Sequence, residues 1–154
     1  MSNEIPLPSD QMSDAPHPRE AIDLFGQSAE EAEFLEAFHS GRLHHGWMLC
    51  GPKGIGKSTL AWRIARFLLA TPIVESNSMF LEAELKHDSL FVPSDHPVST
   101  RISAQSEPGL FSIIRTYNEK TGRLRDQIVV DDVRRLSHFL TMSVADGGRR
   151  VVIV

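Results

Sequence analysis

Eight residues in the first half of the chain combine glycines, a lysine and a hydroxyl at a spacing suited to holding phosphate. Residues 51–58 read GPKGIGKS and fit the pattern G-x-x-x-x-G-K-[ST] without a mismatch. Glycines permit positive φ angles, so the main chain can close around phosphate oxygens with successive amides pointing inward. The pattern therefore predicts a loop that binds a nucleoside triphosphate, with ATP as the favoured ligand.

The side chains after the glycines predict how the nucleotide and its metal ion would be held. Lys57 can reach the β- and γ-phosphate oxygens, the Ser58 hydroxyl can ligate Mg²⁺, and Thr59 can contact the α-phosphate. A helix that begins at the loop would also turn its positive end toward the phosphates. The predicted nucleotide-binding residues are Gly51, Gly54, Ile55, Gly56, Lys57, Ser58 and Thr59.

Hydrolysis of the nucleotide requires further groups, and the sequence does not identify them. An acidic residue at the end of a second strand usually holds Mg²⁺, and another group orients water. Residues 150–154 have the character of that second strand, and we expect the chain to be a fragment of a longer protein that continues with the acid. Asp131 and Asp132 form an acidic pair that could substitute, but helix capping explains Asp131 better. The catalytic residues stay unassigned.

Two elements are expected before the loop. Residues 28–39 predict a helix with a capping box formed by Ser28 and Glu31. Residues 47–50 form a short continuous apolar run, which is typical of a buried central strand and would make Cys50 a small core residue.

The elements after the loop are a helix at residues 57–70 and, later, two strands separated by a helix. The first helix should turn Leu60, Ile64, Phe67 and Leu68 inward and Arg63 and Arg66 outward. In residues 72–108 the apolar residues show no sustained periodicity, so no element is predicted there. Beyond them we expect a strand at 110–114, an extended stretch at 128–130, a helix capped by Asp131 with Val133, Leu136 and Leu140 on one face, a turn at 146–148 and a strand at 150–154.

This alternation of strands and helices predicts an α/β fold with a mostly parallel sheet. Residues 1–18 are rich in Pro, Ser and Asp and predict a flexible tail, which leaves residues 19–154 as the nucleotide-binding domain.

Composition narrows the possible classes of protein. No apolar run approaches the roughly 20 residues of a membrane span, and the start of the sequence is polar and acidic, so we expect a cytoplasmic protein. The single cysteine, Cys50, cannot form an internal disulfide or a cysteine-type zinc site, and no zinc site is expected. Net charge is −4, with the acids concentrated in residues 1–36. The mildly basic remainder is far from the footprint of a dedicated DNA-binding protein.

Several stretches together resemble the clamp-loader ATPases of the AAA+ class, and most narrowly the delta prime subunits of bacterial DNA polymerase III. The most specific are GRLHHGW at residues 41–47 and IVVDDVRRL at 128–136. The others are HPR at 17–19, LFGQ at 24–27, GIGKSTLA at 54–61 and GGRRVVIV at 147–154.

The resemblance implies the N-terminal part of an AAA+ P-loop NTPase domain, a three-layer sandwich that is incomplete here at its C-terminus. It also implies a role with the gamma/tau and delta subunits in loading the sliding clamp onto primed DNA, using ATP and Mg²⁺. Such a subunit is a component of the polymerase holoenzyme and at most a weak ATPase. Gamma/tau subunits and many delta prime subunits carry a four-cysteine zinc module after the loop helix. This sequence has no cysteine there, which argues against gamma/tau and fits delta prime forms in which another insertion replaces the module.

Two other functions and two roles for arginines remain open. The chain is alternatively a non-hydrolysing nucleotide-binding scaffold, or a small-molecule P-loop kinase, for which we find neither a lid nor a catalytic acid. Arg134 and Arg135 either approach DNA phosphates or form a solvated helix face. Arg149 and Arg150 either act on a partner's nucleotide or flank a strand.

Overall fold

The computed structural model describes residues 7–73, 87–118, 120–142 and 148–154. Residues 1–6 of the predicted tail lie outside these ranges, as do residues 146 and 147 of the predicted turn at 146–148. In chain order, the described elements are α1 (Ser28–His39), α2 (Lys57–Ala70), α3 (Pro97–Ser103), β1 (Leu110–Ser112), α4 (Val130–Thr141) and β2 (Val151–Ile153).

The two strands form a parallel pair. Leu110 lies opposite Val151 and Ser112 opposite Ile153, and α4 falls between the strands in sequence. Strands were expected at 110–114 and 150–154, and both are present but shorter. Two strands are too few to establish a three-layer sandwich, so the AAA+ fold class stays a prediction.

Helix α2 contributes to two hydrophobic clusters. Leu60 and Phe67 are buried in the first, with Phe34 of α1 and Leu90, while Ile64 and Leu68 are partly buried against it. The predicted inward face and both ends of this helix are therefore confirmed. On another side of α2, the second cluster consists of Trp62, Val98 and Ile102.

The prediction of a buried strand at residues 47–50 is wrong. Met48 is 85% exposed, and Cys50 is exposed as well rather than a core residue. Trp47 packs its ring against Phe34 with centroids 5.1 Å apart. The physical reason is that a central strand is buried by its neighbours, and no strand in the described ranges pairs with this segment.

Both predicted helix caps are also wrong. Helix α1 spans the expected residues, but its N-cap is Gln27, and the Glu31 carboxylate pairs with Arg63 instead of a backbone amide. Helix α4 begins one residue before Asp131, at Val130, where an extended stretch was expected. A carboxylate inside the first turn no longer lies in the capping position, although it still interacts favourably with the positive helix end.

Two predicted faces differ from the structure. Arg66 was expected to point outward, yet it is only 2% exposed, because the chain around Arg19 covers that side of α2 and Arg19 accepts a hydrogen bond from its guanidinium. On α4, Val133 and Leu140 are half-exposed. That helix contacts the sheet instead through Phe139, which stacks on Phe111.

Helix α3 was not predicted within residues 72–108. Its N-cap is His96, whose Nδ1 accepts a hydrogen bond from the amide of Val98 at 3.2 Å, and Pro97 follows in the first turn. A proline at the start of a helix was the available signal, but the seven-residue helix is too short to give a period.

None of the helices in the part of the chain that the structure describes is both long and apolar enough to cross a membrane. In the same residues, no group of three or more His, Cys, Asp or Glu side chains is arranged to hold a metal ion.

Candidate functional site

The predicted loop turns sharply at its three glycines. Gly51, Gly54 and Gly56 have φ angles of 151°, 85° and 97°. Gly56 is the N-cap of α2 in the left-handed conformation, and a Cβ there would approach Leu24 Cδ1 to 3.2 Å. The glycine pattern thus supplies the backbone conformations that the loop adopts.

The amides of the loop are available to a ligand. Within the described residues, the N–H groups of Gly54, Ile55 and Gly56 donate to no protein acceptor, and no side chain caps the start of α2. Residues 51–55 are exposed. Free amides at a helix N-terminus carry partial positive charge and favour an anion.

Lys57 lies folded over the first turn of the loop. Its Nζ donates to the carbonyl oxygens of Gly51 at 2.8 Å and Pro52 at 2.6 Å. An ammonium group has three protons, so one remains after these two bonds. Ser58 and Thr59 are half-buried in the first turn of α2, where their positions in the chain place them next to the loop.

A glutamine far away in sequence holds the other side of the loop. Gln27 Nε2 donates to the Ile55 carbonyl oxygen at 2.9 Å, and Gln27 is only 7% exposed. Gln27 belongs to the stretch at 24–27, but the sequence of that stretch predicts no role for its side chain. Its side chain acts across 28 residues, so no local pattern could have indicated the contact.

A cavity of about 250 Å³ lies beside the loop. Of the predicted site residues, Ile55 and Lys57 line it, and Gln27 and Glu30 contribute further polar groups. Glu33 adds a second carboxylate, and mostly apolar side chains, among them Trp47, form the rest of its wall. The structure therefore places the lysine of the motif at the edge of a concave surface.

The acidic pair considered for metal binding does not line this cavity. Asp132 is 5% exposed, pairs with Arg135 and lines a separate space of about 50 Å³ next to Phe111. Asp131 is exposed, and its Oδ1 atom lies 3.0 Å from a guanidinium nitrogen of Arg134. These contacts leave Arg134 and Arg135 as largely exposed side chains that pair with acids one helical turn away.

The two arginines before β2 make contacts within the chain. Arg149 donates to the carbonyl oxygens of Leu68 and Thr71 at the C-terminal end of α2 and lies over the ring of Phe38. Burial lowers the pKa of Arg149 from its ordinary value. Arg150 donates to the Leu140 carbonyl oxygen in α4. Each arginine thus connects the strand to a helix.

Comparison with known proteins gives one partial match. The chain is 39% identical over 46 residues to DNA polymerase III subunit gamma of Buchnera aphidicola subsp. Acyrthosiphon pisum (strain APS). The match covers 30% of this chain and only 13% of that protein. No family model matches the chain, and no solved structure matches it. This short similarity supports a relation to the clamp-loader family at most, and it does not separate the delta prime kind from gamma.

Proposed function

We propose that the chain binds ATP with Mg²⁺ at residues 51–59. The observation that carries this proposal is the exposed loop at the start of α2. Three consecutive amides there donate to no acceptor among the residues that the structure describes, and Lys57 lies over the same turn. Free amides and an ammonium group are the donors that a polyphosphate accepts best. In this proposal Ser58 ligates the Mg²⁺ that the nucleotide brings, and Thr59 contacts the α-phosphate.

Substitution of the loop lysine tests the nucleotide site. We expect Lys57→Ala to weaken ATP binding about 100-fold, because a charge-assisted contact to the phosphates is lost. The measurement is a calorimetric titration of the purified chain with ATP in the presence of Mg²⁺. Lys53→Ala is the matched control, since Lys53 is an exposed lysine of the same loop and should leave affinity nearly unchanged. Equal affinity in wild type and Lys57→Ala would contradict the assignment.

The wider proposal is that the chain is an ATP-binding subunit of the DNA polymerase III clamp loader, of the delta prime kind. The motifs at 41–47 and 128–136 and the partial similarity to a gamma subunit support the clamp loader. The lack of cysteine after the loop helix favours delta prime over gamma. Its partners would be the gamma/tau and delta subunits, and through the assembly the sliding clamp and primed DNA.

A non-hydrolysing nucleotide-binding scaffold is the second candidate. It is favoured by the positions of Asp131 and Asp132, neither of which lines the cavity beside Lys57. Phosphate release measured alongside the titration separates the two: binding without turnover favours the scaffold. A clamp-loader subunit of either kind should copurify with gamma/tau and delta subunits, whereas a small-molecule kinase should not.

A further inference from the structure

Residues 17–27, here called the strap, lie along α2 and lead to the loop. Trp62 of α2 meets the ring of His17 at 5.6 Å between centroids. Further along the strap, Arg66 donates to the Arg19 carbonyl oxygen, and Arg63 then donates to the carbonyl oxygen of residue 22, each at 2.6 Å. The strap ends with Leu24 beside Gly56 and Gln27 bonded to Ile55.

The far end of the strap is firmly held. His17 is 2% exposed, and its Nε2 lies 3.1 Å from Asp10 Oδ2. Arg66 is equally buried, so its bond to the strap is partly shielded from water. A buried hydrogen bond from a charged group is costly to break, and the strap therefore has a defined position relative to α2.

The near end fixes one peptide unit of the loop. In a trans peptide, the carbonyl oxygen of one residue and the N–H of the next point in opposite directions. The hydrogen bond from Gln27 draws the Ile55 carbonyl toward the strap, so the Gly56 N–H is turned away from it. That N–H is one of the free amides at the start of α2. Glycine by itself would leave this peptide free to rotate.

We propose that Gln27 is a positioning residue of the nucleotide site, which orients the Gly56 amide for phosphate while the strap holds Gln27 in place. The inference rests on the proposed ATP binding but assigns a role to a residue outside the loop motif. In this role Gln27 contacts the Ile55 carbonyl oxygen of the loop and does not contact the nucleotide.

Two substitutions separate this role from capping of α1, whose N-cap is also Gln27. Gln27→Met keeps the length of the side chain but removes the donor. Gln27→Asn is a favourable N-cap, so the helix should be retained, but its amide is one methylene too short to reach Ile55. Gln11→Met is the matched control, because among the described residues the Gln11 side chain bonds only to the nearby Ala15 carbonyl, in an exposed position.

ATP affinity and the order parameters of the loop amides are measured for all four proteins. We expect both Gln27 variants to bind ATP about five-fold more weakly than wild type, with Gln11→Met unchanged. In the nucleotide-free proteins, ¹⁵N relaxation should give lower order parameters at residues 54–56 of both Gln27 variants, while those of α1 stay the same in Gln27→Asn.

Several results would overturn the proposal. Wild-type affinity and loop order in Gln27→Asn, with losses only in Gln27→Met, would mean that Gln27 acts as a helix cap. If Gln27→Met fails to fold, the Asn variant alone decides the question. If wild type binds no ATP, the proposed function fails. The positioning role is refuted separately, by order parameters at residues 54–56 that are the same in the Gln27 variants as in wild type.

Discussion

His17 is a buried imidazole whose two nitrogens have different partners. Nε2 faces the Asp10 carboxylate at 3.1 Å, and Nδ1 accepts a hydrogen bond from the Arg19 amide at 3.1 Å. The neutral ring with its proton on Nε2 satisfies both contacts, whereas a second proton on Nδ1 would face another N–H group. Burial lowers the pKa of His17 below 6.5, Asp10 opposes this shift, and Arg19 adds to it.

Acidification should therefore destabilise the protein through His17. The pKa of His17 is lower in the folded chain than in the unfolded one. The contribution of the neutral ring to stability is therefore fully present above pH 6.5, and it is lost as the pH falls below that value toward the folded pKa. We expect the melting temperature of wild type to fall more between about pH 7.5 and about pH 5 than that of His17→Gln, which stays neutral.

An exposed histidine provides the comparison for this effect. His45→Gln removes an imidazole that lies on the surface, so the melting temperature of this variant should depend on pH as that of wild type does. A His17→Gln protein whose melting temperature falls with pH as steeply as wild type would show that the buried ring does not contribute. Differential scanning calorimetry across the pH range gives both comparisons.

The sequence of helix α4 is amphipathic, but its apolar face is not buried in the hydrophobic core. Val130, Val133 and Leu140 are 67%, 52% and 51% exposed, while Phe139 makes the stacking contact with β1. Leu60 of α2, by contrast, is 2% exposed. Periodicity indicates which residues share a face, but it does not indicate whether that face has a neighbour.

The same substitution in the two helices should have unequal effects. We expect Leu60→Ala to lower the free energy of unfolding by about 2–5 kcal/mol, because it leaves a cavity in the core. Leu140→Ala should cost less than about 1 kcal/mol, since the side chain is already half in water. Urea denaturation measures both changes, and comparable losses would mean that α4 packs against the molecule more closely than its exposure indicates.

The elements that sequence predicted correctly are those whose signals are local. Each of α1 and α2 has an apolar stripe, and a glycine marks one of its ends: Gly41 lies beyond the end of α1, and Gly56 lies before the start of α2. The loop glycines adopt the positive φ angles that their pattern requires. The strand predicted at 47–50 failed because burial of a strand depends on partners elsewhere in the chain. Gln27 and Arg66 were missed for the same reason, since their contacts span 28 and 47 residues.

At the scale of the whole molecule, α2 is the element against which most of the other described elements pack. It takes part in both hydrophobic clusters, carries the loop at its start and receives Arg149 at its end. The parallel pair β1–β2 meets the same helix next to Gly109, whose carbonyl oxygen accepts a hydrogen bond from the Val151 amide at 2.8 Å. A change at this meeting point should therefore act on the helix and the sheet together.

Gly109 has no room for a side chain. A Cβ would lie 2.8 Å from Leu69 Cδ2 and 2.9 Å from the Arg149 carbonyl oxygen. The leucine can rotate, but the carbonyl belongs to the backbone leading into β2 and cannot move without shifting the strand. We expect Gly109→Ala to lower the free energy of unfolding by about 1–3 kcal/mol, because this close packing must open.

Gly46→Ala is the matched substitution for this prediction. No atom of the described part of the chain, apart from the adjoining residues, lies within 4 Å of a Cβ at Gly46. The added methyl group should therefore change stability by less than about 1 kcal/mol, in either direction. Thermal and urea unfolding of the two variants test the difference. If the two alanines had equal effects, the sheet would not be packed against α2 at Gly109, and the loop at the start of that helix would be positioned without support from the strands.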